Sequence, residues 1–371
     1  MARIWNKHKQ SNTPLKRKVF VALSGGVDSA VAAALLVQAG HDVVGVFMRE
    51  YDLSLAFPFA EEIRCTQTGD RQSAIAVATH FGIPFREWDF RALYKKEVVD
   101  YLVREYRAGR TPNPDIMCNQ KIKFGRFLDR ARREGANCIA TGHYAKIASS
   151  LRDKKNFQLL KAKDKNKDQT YFLYTLTQEQ LRYTQFPIGG YTKPEVRKLA
   201  KKFGLPNWDR KDSQGVCFIG KLPMKEFLKT KVKPMNGPLR TLDGKDIGIH
   251  EGAWYYTIGQ RHGIGFGGGS KQYYVVGKDM KKNIVFVSAG DNTPALYKKE
   301  LLFTDAHWVS GTSPKLPFIC SARIRYRQSL ETAIMYPRGR VDFKKVQRAI
   351  TPGQAVVFYK GSACLGGGTI K

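Results

Sequence analysis

The chain has 371 residues, more than one ordinary hydrophobic core organises, so two or three domains are expected. Lys and Arg number 63 against 32 Asp and Glu, and a net charge of +31 favours a large anionic partner, nucleic acid first, over a basic proteome or generic solubility. No apolar run reaches membrane-spanning length and no signal-peptide core follows Met1, so neither a helical membrane protein nor a secreted one is expected, and the cytoplasm is the default. Cys65, Cys118, Cys138, Cys217, Cys320 and Cys364 show no paired spacing, which disfavours a structural zinc site or a disulfide scaffold.

Residues 1–17 carry bases and no acid, as a short organellar presequence does, but lack a clear amphipathic period and read as a basic tail. The apolar run 19–23 predicts a buried strand and 30–39 a helix closed by Gly40, with Ser24-Gly25-Gly26-Val27-Asp28-Ser29 turning between them. Unpaired N–H groups and the dipole of a helix N-terminus favour bound phosphate there. Gly25 and Gly26 let the main chain approach an anion, Ser24 and Ser29 offer hydroxyls, and Asp28 either orients the turn or holds Mg2+. The turn lacks the Lys-Ser/Thr end of a Walker loop and resembles the PP-loop of ATP pyrophosphatases, which cleave ATP between its α- and β-phosphates.

Strands at 43–48, 85–89 and 137–141 alternate with helices at 72–81, 93–106 and 124–133, predicting an α/β doubly wound parallel sheet with its ligand beyond the strands' carboxyl ends. Between them, 109–119 holds Pro112 and Pro114 and reads as a rigid non-helical loop presenting Asp115 and Cys118. Arg110, Lys121 and Lys123 surround that cysteine with charge that favours a thiolate, making Cys118 a candidate nucleophile; a buried structural cysteine is the alternative. Helices follow at 178–183 and 193–203, then Gly215-Val216-Cys217-Phe218, a weak signal alone.

After 221 the texture turns to β, with strands expected at 254–258, 273–276 and 284–287, then at 318–326, 332–336 and 355–359 in a small barrel. Gly263-Ile264-Gly265-Phe266-Gly267-Gly268 formally matches a dinucleotide fingerprint, but no helix follows it, and a loop is the better reading. The expected domains are therefore the tail 1–17, a catalytic PP-loop domain 18–225, a central β-rich linker domain 226–290 and a C-terminal RNA-binding β-barrel 291–371.

From residue 18 to the end the chain resembles the tRNA-specific 2-thiouridylases. The resemblance is carried by the 24–29 turn, 109–119, Ala140-Thr141-Gly142-His143-Tyr144, Lys167-Asp168-Gln169-Thr170-Tyr171-Phe172-Leu173, 215–220, Thr257-Ile258-Gly259-Gln260-Arg261, Arg325-Tyr326-Arg327-Gln328, Thr351-Pro352-Gly353-Gln354 and Cys364-Leu365-Gly366-Gly367-Gly368. It departs at 49–64, where the family carries a more acidic segment with tryptophan and this chain reads Glu50-Tyr51-Asp52-Leu53. The resemblance implies a sulfurtransferase acting on uridine 34 of tRNA, with ATP and Mg2+, a protein that donates persulfide sulfur, and the Lys, Glu and Gln tRNAs as acceptors. It implies Cys217 as the persulfide carrier and Cys118 as its partner, with sulfur passed either directly, leaving a transient Cys118–Cys217 disulfide, or as released hydrosulfide, and Asp115 as acid or base unless that side chain only braces its own turn.

The same resemblance carries ATP contacts onto Ala22, Leu23, Ser24, Gly25, Gly26, Val27, Asp28, Ser29, Met48 and Gly142. It carries tRNA contacts onto Asn113, Pro114, Asp115, His143, Lys167, Asp168, Gln169, Arg325, Tyr326 and Gln354. Met48 suits either adenine packing or core filling, and His143 either a base contact or a loop bond. Arg323, Arg325, Arg327, Arg338, Arg340, Lys344, Lys345 and Arg348 form a basic stretch suited to an anticodon arm, or simply a solvated strand face. A PP-loop synthetase acting on a small molecule and a non-catalytic RNA-binding protein are the competing readings.

Overall fold

The computed structural model describes residues 16–53, 61–149, 156–211, 222–264 and 272–371. Val19, Phe20, Val21 and Ala22 form an unbroken apolar run because β1 (Lys18–Ala22) is covered on both faces at the centre of a sheet. α1 (Val27–Gln38), β2 (Asp42–Arg49), α2 (Glu61–His80) and β3 (Phe85–Asp89) follow it. The sheet continues on the other side of β1 with β4 (Cys138–Ala140), and all its pairings are parallel. α1 is rich in alanine, and Ala30, Val31, Ala32 and Ala33 are fully buried, so it lies close against the sheet.

Between β3 and β4 come α3 (Arg91–Tyr94), a π-helical turn (Lys95–Val99) and α4 (Asp100–Arg107). A second helical run starts at α5 (Pro114–Met117), passes through a π-helical stretch (Cys118–Arg126) and ends in α6 (Phe127–Arg133). The non-helical loop expected over 109–119 is therefore helical from Pro114 onward. Proline is accommodated at the first helical position, where its missing N–H has no partner to lose, and Asn113 caps the start with Oδ1 accepting from the Asp115 and Ile116 amides at 3.1 and 3.3 Å.

The chain then forms the hairpin β5 (Ala145–Ser149) and β6 (Phe157–Lys161), α7 (Thr170–Leu173), α8 (Gln178–Arg182), β7 (Thr184–Gln185) and α9 (Lys193–Lys202). The parallel sheet has the order β3-β2-β1-β4-β7. After α10 (Met224–Lys229), the strands β8 (Gly237–Thr241), β9 (Asp246–His250), β10 (Tyr273–Asp279) and β11 (Ile284–Ala289) make a separate sheet in the order β10-β11-β8-β9. The strand expected at 254–258 is instead a 3-10 turn over Ala253–Tyr255, entered through Gly252, whose φ of 143° breaks any extended run.

β12 (Tyr297–Trp308), β13 (Phe318–Arg323), β14 (Glu331–Met335), β15 (Arg340–Arg348), β16 (Ala355–Lys360) and β17 (Ala363–Ile370) form an antiparallel barrel, closed by β12 pairing with both β15 and β17. The barrel does not stand apart. β6 adds to β17, with Ala363 opposite Leu160 and Cys364 opposite Leu159, so the β5–β6 hairpin of the N-terminal half extends the C-terminal sheet.

Candidate active site at the carboxyl ends of the parallel strands

β1, β2 and β4 are neighbours, and their carboxyl ends deliver the Ser24–Ser29 turn, Met48 and the Thr141-Gly142-His143 segment to one place, where the connections depart to opposite sides of β1. Ala22 and Leu23 are buried beneath the turn, and the Leu23 amide donates to the Val46 carbonyl at 2.8 Å. Gly25 has φ of 79°, and a Cβ there would lie 2.3 Å from the Asp70 carbonyl oxygen, so only glycine fits. Its carbonyl accepts from Ser73 Oγ at 2.7 Å, Asn207 Nδ2 at 2.9 Å and Arg210 Nη1 at 3.1 Å. Those three donors hold the Gly25 carbonyl. Ser29 Oγ donates to the Gly26 carbonyl at 2.9 Å and lies 3.2 Å from Ser24 Oγ, while Ser24 itself is exposed. Val27, the first residue of α1, is buried beneath the turn.

Asp28 is tied inward: its Oδ1 accepts from the Tyr144 phenol at 2.8 Å and from Lys193 Nζ at 2.7 Å. Of the two roles open to it, the recorded bonds are those of an orienting group. Gly142 rides directly on the head of α1, where a Cβ would meet the Ser29 amide at 2.6 Å. Met48 is half-buried against the core that contains Val46, Trp88 and Phe90.

The second part of the site is the α5 run. Cys118 is fully buried, and its Sγ lies 3.8 Å from Glu50 Oε1 just beyond β2, with Lys123 Nζ 4.0 Å from the same carboxylate oxygen. The cationic surround expected of this thiol is reduced accordingly. Arg110 is committed to Glu105 through two bonds of 2.5 and 2.8 Å, Lys121 is exposed, and only Lys123 approaches, across Glu50. Asp115 is half-buried and records no side-chain bond among the described residues; the turn-bracing carbonyl is supplied by Asn113. Pro114 is buried. Cys217 lies outside the described residues, as does most of the glycine-rich 263–268 segment. Burial pushes the Cys320 and Cys364 thiols up to about 12 and raises Cys138, as befits packing residues.

His143 links the two parts. Its Nδ1 is 2.8 Å from Thr141 Oγ1, its ring packs on Phe124 and Phe186 at 5.6 and 6.0 Å, and burial, then the nearby Lys123 ammonium, push its imidazole down to about 3. Gln169 caps the same neighbourhood, accepting the Tyr144 amide at 2.9 Å. Asp168 is buried and paired with Arg323, which is itself 4% exposed and also bonds Tyr359, so neither presents charge outward and Lys167 alone of this pair of neighbours reaches the surface. Tyr326 packs on Phe172 with ring centroids 4.5 Å apart and the planes tilted by 45°, and the Phe172 carbonyl accepts from Asn119 at 3.2 Å. Arg325 donates to the Ala349 carbonyl at 2.9 Å.

Gln354 does something the sequence did not suggest. From the barrel, its Nε2 donates to the Thr111 carbonyl at 2.9 Å and the Pro112 carbonyl at 3.4 Å, just before α5. The Thr111 amide donates to the Pro352 carbonyl at 2.8 Å, and its hydroxyl meets Thr257 Oγ1 at 3.1 Å. One residue thus joins all three regions of the chain. A cleft of about 420 Å³ beside it is lined by Asn113, Met117, Gln120, Asp305 and His307.

Three family models match in succession: one described as the tRNA methyl transferase HUP domain over 17–221, one as the tRNA methyl transferase PRC-barrel domain over 225–289, and one as the aminomethyltransferase beta-barrel domain over 298–370. The tRNA-specific 2-thiouridylase MnmA of Geobacillus thermodenitrificans is 46% identical over 364 residues, covering 97% of this chain and 96% of that one. The chain belongs to the tRNA-specific 2-thiouridylase family. The proteins of the same name from Nitrosococcus oceani and Halalkalibacterium halodurans are 48% and 45% identical over 365 residues, covering 96% and 97% of this chain and 97% and 96% of theirs. Membership accounts for an α/β HUP domain followed by a PRC-barrel domain and a C-terminal β-barrel. Lys193 and Arg210 are not among the expected site residues, and Glu50 and Tyr144 enter only within longer stretches, because nothing local marks a side chain whose partner lies on another element.

Proposed function

We propose that this chain is an ATP-dependent tRNA-uridine 2-sulfurtransferase that converts uridine 34 to 2-thiouridine. The observation that carries the reading is the Ser24–Ser29 turn at the head of α1, with the Cys118 helix packed beside it through Phe124 and His143. Methyl transfer, the reaction word in two of the family-model descriptions, has no use for a phosphate-cradling turn.

In the reaction we infer, the uracil O2 attacks the α-phosphorus of ATP, the bond to the β-phosphate breaks, and pyrophosphate leaves with its electron pair. The terminal sulfur of a Cys217 persulfide then attacks C2 and AMP departs. The Cys118 thiolate attacks the Cys217 sulfur, forming the Cys118–Cys217 disulfide and leaving the second sulfur on the base as thiouridine; external thiols reduce the disulfide. Asp115, half-buried and without a side-chain bond among the described residues, moves a proton at the base in this scheme. Asp28 is the carboxylate within the turn that would hold Mg2+, its Oδ1 already shared by Tyr144 and Lys193, and the ion would supply charge neutralisation for the phosphates. A protein persulfide donor, the Lys, Glu and Gln tRNAs, and a cytoplasmic site of action complete the proposal. Among the described residues no helix is long and apolar enough to cross a membrane.

Single-turnover reactions test the assignment. With tRNA, ATP and a persulfide donor, Cys217→Ser is expected to give adenylated tRNA without thiouridine, and Cys118→Ser to load sulfur on Cys217 and stall with no intramolecular disulfide by mass spectrometry. Thiouridine formed by Cys217→Ser at the wild-type rate overturns the scheme.

A further inference from the structure

The phosphate turn contains hydroxyls, glycines and one acid, but no cation. A triphosphate bound there presents more negative charge than backbone amides and a helix dipole offset, and a Walker loop meets that need with its terminal lysine. Here two cations reach the turn from later in the chain. Lys193, the first residue of α9, places Nζ 2.7 Å from Asp28 Oδ1 with a side chain only 13% exposed. Arg210 donates through Nη1 to the Gly25 carbonyl at 3.1 Å and the Gly69 carbonyl at 3.4 Å, and through Nη2 to Asp70 at 2.5 Å.

We propose that Lys193 and Arg210 are phosphate ligands, binding the β- and γ-phosphates of ATP that depart as pyrophosphate; the inference rests on the ATP reading above. The two cations bracket the turn, Arg210 at Gly25 and Lys193 at Asp28. Among the described residues Arg210 pairs with Asp70 and Lys193 with Asp28, so the cations are already positioned before nucleotide arrives. Preorganised cations of this kind lose little in reorienting when charge develops on the leaving group. The guanidinium has five N–H donors, and three acceptors are recorded for it among the described residues, which leaves donors for a phosphate oxygen. The Arg210 backbone is fixed as well, its carbonyl accepting from Arg197 Nη1 at 2.5 Å.

A purely architectural role, stapling α1 and α2 to α9, makes a different prediction from a phosphate contact. Equilibrium binding of ATP and of AMP, with wild-type chain as reference, separates them. Arg210→Met and Lys193→Met are each expected to weaken ATP binding about ten- to hundredfold while AMP affinity changes less than about twofold, with Arg210→Lys and Lys193→Arg recovering most of the loss. Lys193→Met combined with Asp28→Asn removes both partners of that pair, and ATP affinity is expected to stay low. Equal losses for ATP and AMP, unchanged ATP affinity in the Met variants, or recovery in the double variant overturns the inference. A wild-type chain that binds neither nucleotide refutes the ATP reading itself.

Discussion

His143 has its imidazole lowered to about 3, so it stays neutral throughout the physiological range and serves the site as an aromatic and hydrogen-bonding group, with no charge to switch. The unfolded chain, with an ordinary imidazole near 6.5, binds a proton that the folded chain refuses, so this residue costs stability as pH falls below about 6.5. Between pH 7 and pH 5 the wild type is expected to lose about 2 kcal/mol more than His143→Gln, read from urea unfolding. Arg323 illustrates a different burial. Counted in the sequence among a run of exposed bases, it closes an ion pair with Asp168 in the barrel wall. Arg323→Met strands that carboxylate and is expected to destabilise by about 3–5 kcal/mol, whereas Asp168→Asn with Arg323→Met loses markedly less. Only the pair's geometry distinguishes this arginine from Arg327 or Arg338.

The turn-and-helix unit tolerates little added volume. Gly142→Ala sets a methyl 2.6 Å from the Ser29 amide at the head of α1, which either moves the turn or the segment after β4. Pyrophosphate–ATP exchange is expected to fall by at least about tenfold in that variant, with tRNA affinity retained, because the bases of the C-terminal barrel lie on elements other than α1. The α5 run depends on a capping oxygen from its own chain and two bonds from the barrel. Gln354→Ala removes the barrel's side-chain hold on the Thr111 and Pro112 carbonyls, and hydrogen exchange at the Asp115–Cys118 amides is expected to quicken while the barrel's own amides are unchanged. Equal quickening across the barrel would instead mean that Gln354 supports the barrel.

Across the whole molecule, the regions are stitched together more tightly than the sequence suggests. The β5–β6 hairpin completes a sheet that belongs to the barrel, so a fragment ending at residue 221 exposes the β6 edge and the faces that β17 covers. Such a fragment is expected to associate in sedimentation experiments where the full chain does not, because an uncovered strand edge is a template for pairing. The net charge of +31 makes tRNA affinity salt-dependent. Arg325 is half-buried, and burial followed by repulsion from Arg348 lowers its guanidinium below the usual range. If it contacts a tRNA phosphate, in line with the contact the resemblance implies, Arg325→Ala flattens the log–log salt slope by about one contact; an unchanged slope leaves it a brace for the Ala349 carbonyl.

The sequence alone determined the parallel sheet, the strand-turn-helix unit at its start and the succession of an α/β region by β-rich ones, because those rest on local signals: a doubly buried strand must be apolar throughout, and a glycine pair between an apolar run and a small-residue run marks a turn into a helix. It misjudged 109–119, since Pro114 reads as a breaker until Asn113 is seen to cap it, and it read a strand at 254–258 where Gly252 starts a 3-10 turn. Only the tertiary structure decided which charges face one another. The thiol of Cys118 meets Glu50 instead of Arg110, Asp28 meets Lys193 from a helix far along the chain, and Gln354 holds the loop that leads to α5. Pairings of that kind depend on through-space distances of a few ångströms between residues widely separated in sequence, which no local pattern encodes.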